Sequence, residues 1–288
     1  MYTVGNFIYH ELPSGDIVVQ NQAGIVMINN EQMKDWIKIL DTKTNTDLSE
    51  DGIRQHFREY CDQSIEFLLK YKIIQHKIQY SFNVSTVHFF TNNRAVAHNI
   101  KQHMSNFFSD FNLNFSVVDS PLGSKNSNLL NIIFLNPYDK KLATEIVSET
   151  KKNGNLLLMT YTYNNSFYID SLYCHKWKKP CHLCHMGHIE SQLRTSQFGE
   201  LTYQNLIDLL YNQEPNFQVE ASLNVIDIYS IVTMIFNYLD KLIFRTKGNA
   251  LFSNEALEDI NYSIMYDLQT KKIAKDISIH WELCDCYE

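Results

Sequence analysis

Two closely spaced cysteine pairs constrain the fold of this 288-residue chain more than any other feature of its sequence. Cys181 and Cys184 form a C-x2-C motif, and Cys284 and Cys286 form a C-x-C motif far downstream. Together the pairs supply the four soft ligands that structural zinc prefers in a tetrahedral site. The spacing therefore predicts one Zn²⁺ ion with no open coordination position, which serves folding and not catalysis.

Such a site has to close a long loop, and the balance of energies favours closure. The entropic cost of closing a loop grows only logarithmically with its length and amounts to a few kcal/mol. Structural zinc contributes on the order of 10 kcal/mol in small metal-folded domains. A redox-active dithiol and a set of unrelated buried cysteines are the two alternative interpretations.

Five histidines near the cysteines are alternative ligands: His175, His182, His185, His188 and His280. His182 lies between the two cysteines of one motif, so its side chain is expected to point away from the metal. His185 and His188 are one helical turn apart, a spacing that more often marks a solvated helix face than a metal site. Cys61 and Cys174 have no close cysteine partner and are interpreted as ordinary buried thiols.

The charge and hydropathy of the chain exclude several classes of partner. The net charge of -7 at pH 7 disfavours nucleic acid, because such binding needs clustered Lys and Arg. No basic segment followed by an apolar one opens the sequence, so a secretion signal is not predicted. The apolar stretch 225–244 contains Asp227 and Asp240, which favours a buried helix over a membrane span. We expect a cytoplasmic location, where reduced thiols more often hold metal than form disulfides.

The first 82 residues have the pattern of a small winged helix-turn-helix domain. Alternating apolar and polar residues predict three antiparallel strands separated by turn-forming residues. These strands are expected at 7–10, 17–20 and 25–28. Three helices are then expected at 31–40, 49–60 and 62–71, with Ser49 and Asp62 as N-caps. One further strand, at 72–82, is expected to form the wing.

Residues 83–288 show a different order, which indicates an α/β domain. Strands are predicted at 87–91, 115–119, 129–136, 156–163 and 166–170, with helices at 94–108 and 140–152. This alternation is expected of a parallel sheet flanked by helices. The later helices are predicted at 185–193, 202–210, 223–244 and 254–261, and the last two strands at 263–268 and 276–283.

Sequence motifs of common enzyme classes are missing from this pattern. The turn after the first strand of the α/β domain, residues 91–94 (TNNR), lacks the glycines that let a backbone approach phosphates. The chain also contains neither a G-x-S-x-G elbow nor an H-E-x-x-H helix. The sequence therefore favours a binding or scaffold protein over an enzyme.

Three segments resemble one known family. They are residues 180–184 (PCHLC), 201–206 (LTYQNL) and 279–286 (IHWELCDC). These segments are similar to those of the McbB family, the zinc-containing, ubiquitin-activating-enzyme-like (ThiF-like) scaffold subunits of microcin-B-type azole synthetases. The resemblance is specific around the cysteines, and the order of segments agrees over nearly the whole chain.

The resemblance implies a fold, a function and a set of partners. The fold is a winged helix-turn-helix peptide-recognition domain, residues 1–82, followed by a degenerate adenylating-enzyme-like α/β domain, residues 83–288, with Zn²⁺ on the four paired cysteines. The function is that of a non-catalytic, dimeric scaffold that captures the leader of a ribosomally made precursor peptide. Its partners are a YcaO-type cyclodehydratase, which uses ATP, and an FMN-dependent dehydrogenase, and together they form thiazoles and oxazoles. Neither nucleic acid nor a membrane is an expected partner.

The predicted meander offers a place for the leader, because an exposed strand edge beside a helix can accept an extended peptide as an additional strand. We expect the leader to lie along the last strand of the meander and to pack against the third helix. The residues expected to bind it are Ile25, Val26, Met27, Ile28, Ile65, Leu68, Leu69 and Tyr71. The alternative is that these apolar residues form the core of the small domain.

Two other functions are alternatives to the scaffold. An active ATP-dependent adenylating enzyme is disfavoured because no glycine-rich loop is present. A zinc-stabilised winged-helix transcription regulator is disfavoured because the predicted third helix carries Asp62 and Glu66 beside Lys70. Such a helix is a poor electrostatic match to DNA.

Overall fold

The computed structural model of the chain describes residues 1–5, 7–21, 24–43, 47–76, 84–109, 113–123, 128–195, 199, 201–214, 216–240 and 260–286. The chain divides into two compact units, unit 1 (Met1–Tyr80) and unit 2 (Ser81–Glu288). A separate cluster of buried apolar side chains lies in each unit. No helix within the described ranges is long and apolar enough to cross a membrane.

Unit 1 combines two small sheets with three helices. Its strands are β1 (Tyr2–Val4), β2 (Ile8–Glu11), β3 (Ile17–Asn21), β4 (Gly24–Ile28), β5 (Asp47–Leu48) and β6 (Ile74–His76). Its helices are α1 (Glu31–Asp41), α2 (Glu50–Phe57) and α3 (Cys61–Lys70), with a 3₁₀ turn at Arg58–Tyr60. One antiparallel sheet has the order β2-β3-β4, and the other has the order β5-β1-β6.

The predicted meander and three helices of unit 1 are confirmed. The turn between β2 and β3 is closed by a hydrogen bond from the Leu12 amide to the Asp16 carbonyl (2.8 Å), and Gly15 adopts a φ of 84° that favours glycine. Strands β1 and β5 were not predicted, because each is only two or three residues long. Of the predicted strand 72–82, residues 74–76 form β6, and residues 77–82 lie outside the described residues.

The predicted helix caps of unit 1 have different outcomes. The Ser49 hydroxyl accepts a hydrogen bond from the Gly52 amide at 3.1 Å and caps α2, as expected. The prediction that Asp62 caps α3 is wrong, because α3 starts at Cys61 without a side-chain cap. The 3₁₀ turn runs directly into this helix, and the Cys61 amide already donates to the Arg58 carbonyl.

Unit 2 is built on one seven-stranded sheet. Its strands are β7 (Thr86–Thr91), β8 (Asn114–Val117), β9 (Leu129–Leu135), β10 (Leu156–Tyr163), β11 (Ser166–Ile169), β12 (Tyr262–Asp267) and β13 (Ile273–Ile277). Its helices are α4 (Arg94–Ser109), α5 (Lys140–Asn153), α6 (His182–Arg194), α7 (Tyr203–Gln213) and α8 (Val225–Leu239). The strand order is β13-β12-β11-β10-β9-β7-β8.

The sheet of unit 2 is parallel in one half and antiparallel in the other. Strands β8, β7, β9 and β10 pair in parallel, as the alternation of strands and helices predicts. Strands β9 and β10 are buried along their whole length, which explains their nearly unbroken apolar sequences. A two-residue turn at Asn164 and Asn165, both with positive φ, then reverses the chain into β11.

The last segment departs from the predicted strand 276–283. Strand β13 ends at Ile277, and the chain then leaves the sheet toward the paired cysteines. Leu283 is 88% exposed, and a hydrogen bond from the Cys284 amide to the Trp281 carbonyl forms a turn where the strand was predicted. Among the predicted helices, residues 241–244 and 254–259 lie outside the described residues, and 260–261 form a turn.

Candidate functional site

The four paired cysteines come together in unit 2. The sulfur atoms of Cys181, Cys184, Cys284 and Cys286 all lie within 4.8 Å of one another. The nearest approaches join the two motifs, with Sγ–Sγ distances of 3.6 Å for Cys181 and Cys284 and 3.4 Å for Cys184 and Cys286. All four side chains are buried, and none forms a disulfide. This buried group of four thiols can hold a metal ion.

The spacing of the sulfurs fits a tetrahedral thiolate site. A Zn–S bond of about 2.3 Å places neighbouring sulfurs of a regular tetrahedron about 3.8 Å apart. The two nearest Sγ–Sγ distances, 3.6 and 3.4 Å, are slightly shorter than this value, and all four sulfurs lie within 4.8 Å of one another. Among the described residues, the group of potential ligands contains these four sulfurs and no histidine. The donor set therefore matches the site predicted from the two motifs.

The first motif lies at the start of α6. Cys181 is the residue before the first turn of this helix, and its carbonyl accepts hydrogen bonds from the amides of Cys184 (3.0 Å) and His185 (3.3 Å). This turn places the two sulfurs on the same side of the backbone. The N-terminal end of a helix also favours negative charge, so it stabilises thiolates at this position.

The electrostatics of the cluster favour a shared cation. The pKa of the Cys184 thiol is lowered because its sulfur accepts hydrogen bonds from Cys181 and Cys286, and the same contact raises the pKa of Cys181. Burial raises the pKa of Cys284. One thiolate is thus stabilised by protons on its neighbours. Four thiolates packed so closely need a cation to offset their mutual repulsion.

The histidines near the cluster contact it from outside the four sulfurs. The His280 Nε2 donates to the Lys178 carbonyl (3.1 Å), and its Nδ1 lies 3.4 Å from the Cys286 sulfur. His188 is half-buried, and its Nε2 donates to the His280 carbonyl (3.3 Å). The prediction that His185 lies on a solvated helix face is wrong. Its side chain is buried, and its Nε2 lies 3.2 Å from the Ser171 hydroxyl.

His182 points away from the sulfurs, as predicted, but it lies in a buried network that the sequence did not reveal. Its Nδ1 lies 2.7 Å from an Asp170 oxygen, and its Nε2 lies 2.9 Å from the Tyr138 hydroxyl. The Tyr161 hydroxyl donates to the other Asp170 oxygen (3.1 Å). These four side chains are 0–2% exposed. The network therefore fixes the first turn of α6 against β10 and the segment after β11.

The two remaining cysteines lie apart from the cluster. Cys61 is buried in the core of unit 1 at the start of α3. Cys174 is buried in unit 2, where its thiol donates to the Gly154 carbonyl at 3.8 Å. Burial raises the pKa of both thiols. Both are therefore buried thiols outside the candidate metal site, as predicted.

Unit 1 contains a groove of about 420 Å³ beside β4. Its apolar lining comes from β4, α1, α2, the 3₁₀ turn and α3. These residues are Met27, Ile28, Met33, Phe57, Tyr60 and Phe67. The polar residues Asn29, Asn30, Gln32, Gln63 and Ser64 complete it, and none of the described residues that line the groove is charged.

The residues expected to bind peptide have different positions relative to this groove. Met27 and Ile28 line it, and Ile25 lies on β4 with 69% of its surface exposed. Val26, Ile65, Leu69 and Tyr71 are partly buried against the core of unit 1. Leu68 is fully buried in that core, so its side chain does not reach the surface. The face of α3 that borders the groove is formed instead by Gln63, Ser64 and Phe67.

Comparisons with known proteins agree on one family. A sequence model of the family described as microcin B17-processing protein McbB matches residues 2–288. The curated McbB of Escherichia coli is 23% identical over 174 residues, which span 60% of this chain and 57% of that protein. The chain thus aligns with little more than half of this relative's length.

Two solved structures share the fold. The E. coli microcin synthetase McbBCD complex contains a chain with a TM-score of 0.66 at 20% identity, and the match covers 99% of this chain and 100% of that one. The same complex with pro-MccB17 bound matches with a TM-score of 0.52 at 20% identity, covering 100% and 99% of the two chains. Because the family model spans nearly the whole sequence, the chain belongs to the family of microcin B17-processing protein McbB.

Proposed function

We propose that this chain is the non-catalytic scaffold subunit of an azole synthetase. In this proposal, unit 1 is a winged-helix domain that binds the leader of a ribosomally made precursor peptide. Unit 2 is a degenerate adenylating-enzyme-like domain whose four cysteines hold one structural Zn²⁺. Membership of the McbB family supports the proposal, and so does a related synthetase whose solved structure has pro-MccB17 bound.

The edge of β4 that no strand of the described residues covers, beside the groove, carries the proposed peptide binding. Strand β4 pairs with β3 on one side, and Ile25 and Met27 are 69% and 63% exposed. An extended peptide can pair with such an edge through backbone hydrogen bonds while its side chains enter the neighbouring groove. The uncharged lining favours a leader segment with apolar side chains, because burial of a charge without a partner is costly.

The chemistry of azole formation is assigned in this proposal to partner subunits. A YcaO-type cyclodehydratase uses ATP to close rings from Cys, Ser and Thr, and an FMN-dependent dehydrogenase oxidises them to thiazoles and oxazoles. The scaffold, as a homodimer, presents the peptide to both. Zinc is favoured over other metals because four thiolates in a closed tetrahedron match its ligand preference and leave no coordination position for catalysis.

Peptide binding is tested with the precursor peptide encoded beside the gene for this chain. We expect this precursor to be encoded by a short open reading frame, rich in codons for Ser, Thr, Cys and Gly, next to a YcaO-like gene. Its labelled leader is titrated with the purified chain by fluorescence anisotropy. We expect micromolar or tighter binding, which Ile25→Glu or Met27→Glu weakens at least tenfold because a charge at the strand edge opposes an apolar contact.

Ile8→Glu is the matched control, because Ile8 is 66% exposed at the opposite edge of the same sheet. Ile8 and Ile25 both pair with Gln20, so the two side chains lie on the same face at the same register. We expect Ile8→Glu to bind the leader like the unmodified chain. Equal affinity in all of the variants would contradict binding at β4.

A further inference from the structure

The segment that carries Cys284 and Cys286 contacts α6 at a place separate from the sulfurs. Residues 278–286, called the tail, leave the sheet after β13. The indole of Trp281 lies on Gly187 of α6, where a Cβ atom would come within 2.6–2.8 Å of three indole carbons. Real Cβ atoms do not approach so closely, so glycine is required at this position of the helix for the indole to lie flat.

Neighbouring groups reinforce this contact. The rings of His188 and Trp281 meet edge to face with centroids 4.9 Å apart, and the His188 Nε2 donates to the His280 carbonyl (3.3 Å). The Cys284 amide donates to the Trp281 carbonyl (3.0 Å), which turns the backbone toward the first cysteine pair. We call Gly187, His188 and Trp281 together the docking contact. None of the three is among the potential metal ligands.

Glycine is an unfavourable choice for the middle of a helix, so its presence at position 187 needs a reason. In a helix interior it is less favourable than alanine by roughly 1 kcal/mol, because the backbone loses more freedom on folding. Gly187 is the sixth of the thirteen residues of α6. The close contact between the Trp281 indole and the backbone at Gly187 supplies that reason.

We propose that the docking contact positions the tail, so that Cys284 and Cys286 are held beside Cys181 and Cys184 independently of the metal. This inference rests on the proposed zinc site and adds the residues that preorganise it. A metal ion bound by one cysteine pair then meets the second pair at a high effective concentration, because the tail is restricted before binding. Gly187 and Trp281 are positioning residues for the metal centre.

A double-mutant cycle tests the inference, using the full chain and competition for Zn²⁺ against a chromophoric chelator. The variants are Gly187→Ala, Trp281→Ala and the combination of both. We expect each single change to weaken zinc binding by roughly 10- to 100-fold, as for other residues that support metal ligands. The double variant should be no weaker than Trp281→Ala, because the added methyl group acts only by displacing the indole.

Two further variants and a second measurement separate positioning from general damage. Trp281→Phe, which keeps a flat ring over Gly187, should retain most of the affinity, and Gly52→Ala in α2 of unit 1 should retain all of it. Amide hydrogen exchange of residues 278–283 in the zinc-depleted chain should be faster in Gly187→Ala and Trp281→Ala than in the unmodified chain.

Failure of this inference and failure of the zinc site give different results. An unmodified chain that binds no zinc would overturn the proposed site itself. A chain that binds zinc with the same affinity after Gly187→Ala and Trp281→Ala would overturn only the positioning role, as would additive effects in the double variant. Equal hydrogen exchange of the tail in all zinc-depleted variants would likewise overturn it.

Discussion

At the scale of single residues, His182 shows how a side chain between two cysteines of the candidate metal site is used for structure. The spacing of the C-x2-C motif turns this imidazole away from the sulfurs, and the fold supplies Asp170 and Tyr138 as its partners. Asp170 and Tyr138 lie 12 and 44 residues before His182, and both are buried. The C-x2-C motif predicted that the His182 side chain points away from the sulfurs. It did not predict the residues that His182 contacts, because these are brought together only by the folding of the sheet.

This network makes a prediction about stability. His182→Ala leaves the Asp170 carboxyl and the Tyr138 hydroxyl without their shared partner in a buried site. We expect the free energy of unfolding to fall by about 2–4 kcal/mol, measured by denaturant unfolding at saturating Zn²⁺. His98→Ala, at an exposed position of α4, is the control and should change stability little. Equal effects of the two substitutions would argue against a stabilising network.

At the scale of helices and strands, the strongest periodic patterns were predicted correctly. Strand β10 has the predicted bounds, and β9 ends one residue early, because long buried apolar runs leave little ambiguity. Predictions failed where a tertiary contact competes with a local pattern. The first part of the tail was predicted as a strand, but the docking contact and the cysteine cluster hold it outside the sheet. The predicted cap of α3 was wrong because the 3₁₀ turn runs directly into the helix and the Cys61 amide already donates to the Arg58 carbonyl.

An ion pair between α6 and α7 makes a prediction about pH. Arg194 donates two hydrogen bonds to the Asp208 carboxylate, at 2.8 and 3.2 Å. Burial alone would raise the pKa of Asp208, but hydrogen bonds from Arg194 and Gln204 outweigh it and lower the pKa. A lowered pKa means that the carboxylate stabilises the fold above its unfolded pKa of about 4, and that this stabilisation is lost as the pH falls further.

We therefore expect Asp208→Asn to lower the Tm by about 1–2 °C at pH 7, a small effect because the pair is partly exposed. The difference from the unmodified chain should shrink as the pH is lowered below about 4. Differential scanning calorimetry over this pH range is the measurement, with Asp119→Asn at an exposed position of the same unit as the control. A difference that stays constant with pH would argue against the ion pair.

At the scale of the whole molecule, the sequence predicted which four cysteines lie together, but it predicted the lining of the groove in unit 1 only in part. Four cysteines in two tight pairs have few other interpretations, whatever the fold. The groove depends on which face of α3 is turned outward, and helical periodicity did not decide this. Leu68 was expected at the surface and is buried, whereas Phe67 lines the groove and was not predicted.

The proposed zinc site predicts the metal content of the chain. Elemental analysis of the purified protein should find one zinc per chain, and Cys284→Ser should lower both this content and the Tm, because three thiolates hold the ion less tightly than four. Cys174→Ser is the matched control, since Cys174 is buried in the same unit outside the cluster. A metal-free chain, or equal loss in both variants, would contradict the assignment.

The long separation between the two cysteine pairs also has a consequence during protein synthesis. Cys284 follows Cys181 by 103 residues. At usual translation rates of about 5–20 residues per second, the second pair emerges from the ribosome roughly 5–20 s after the first. Throughout this interval the nascent chain carries only two of the four clustered thiols, so the buried group can assemble only after the second pair has been synthesised.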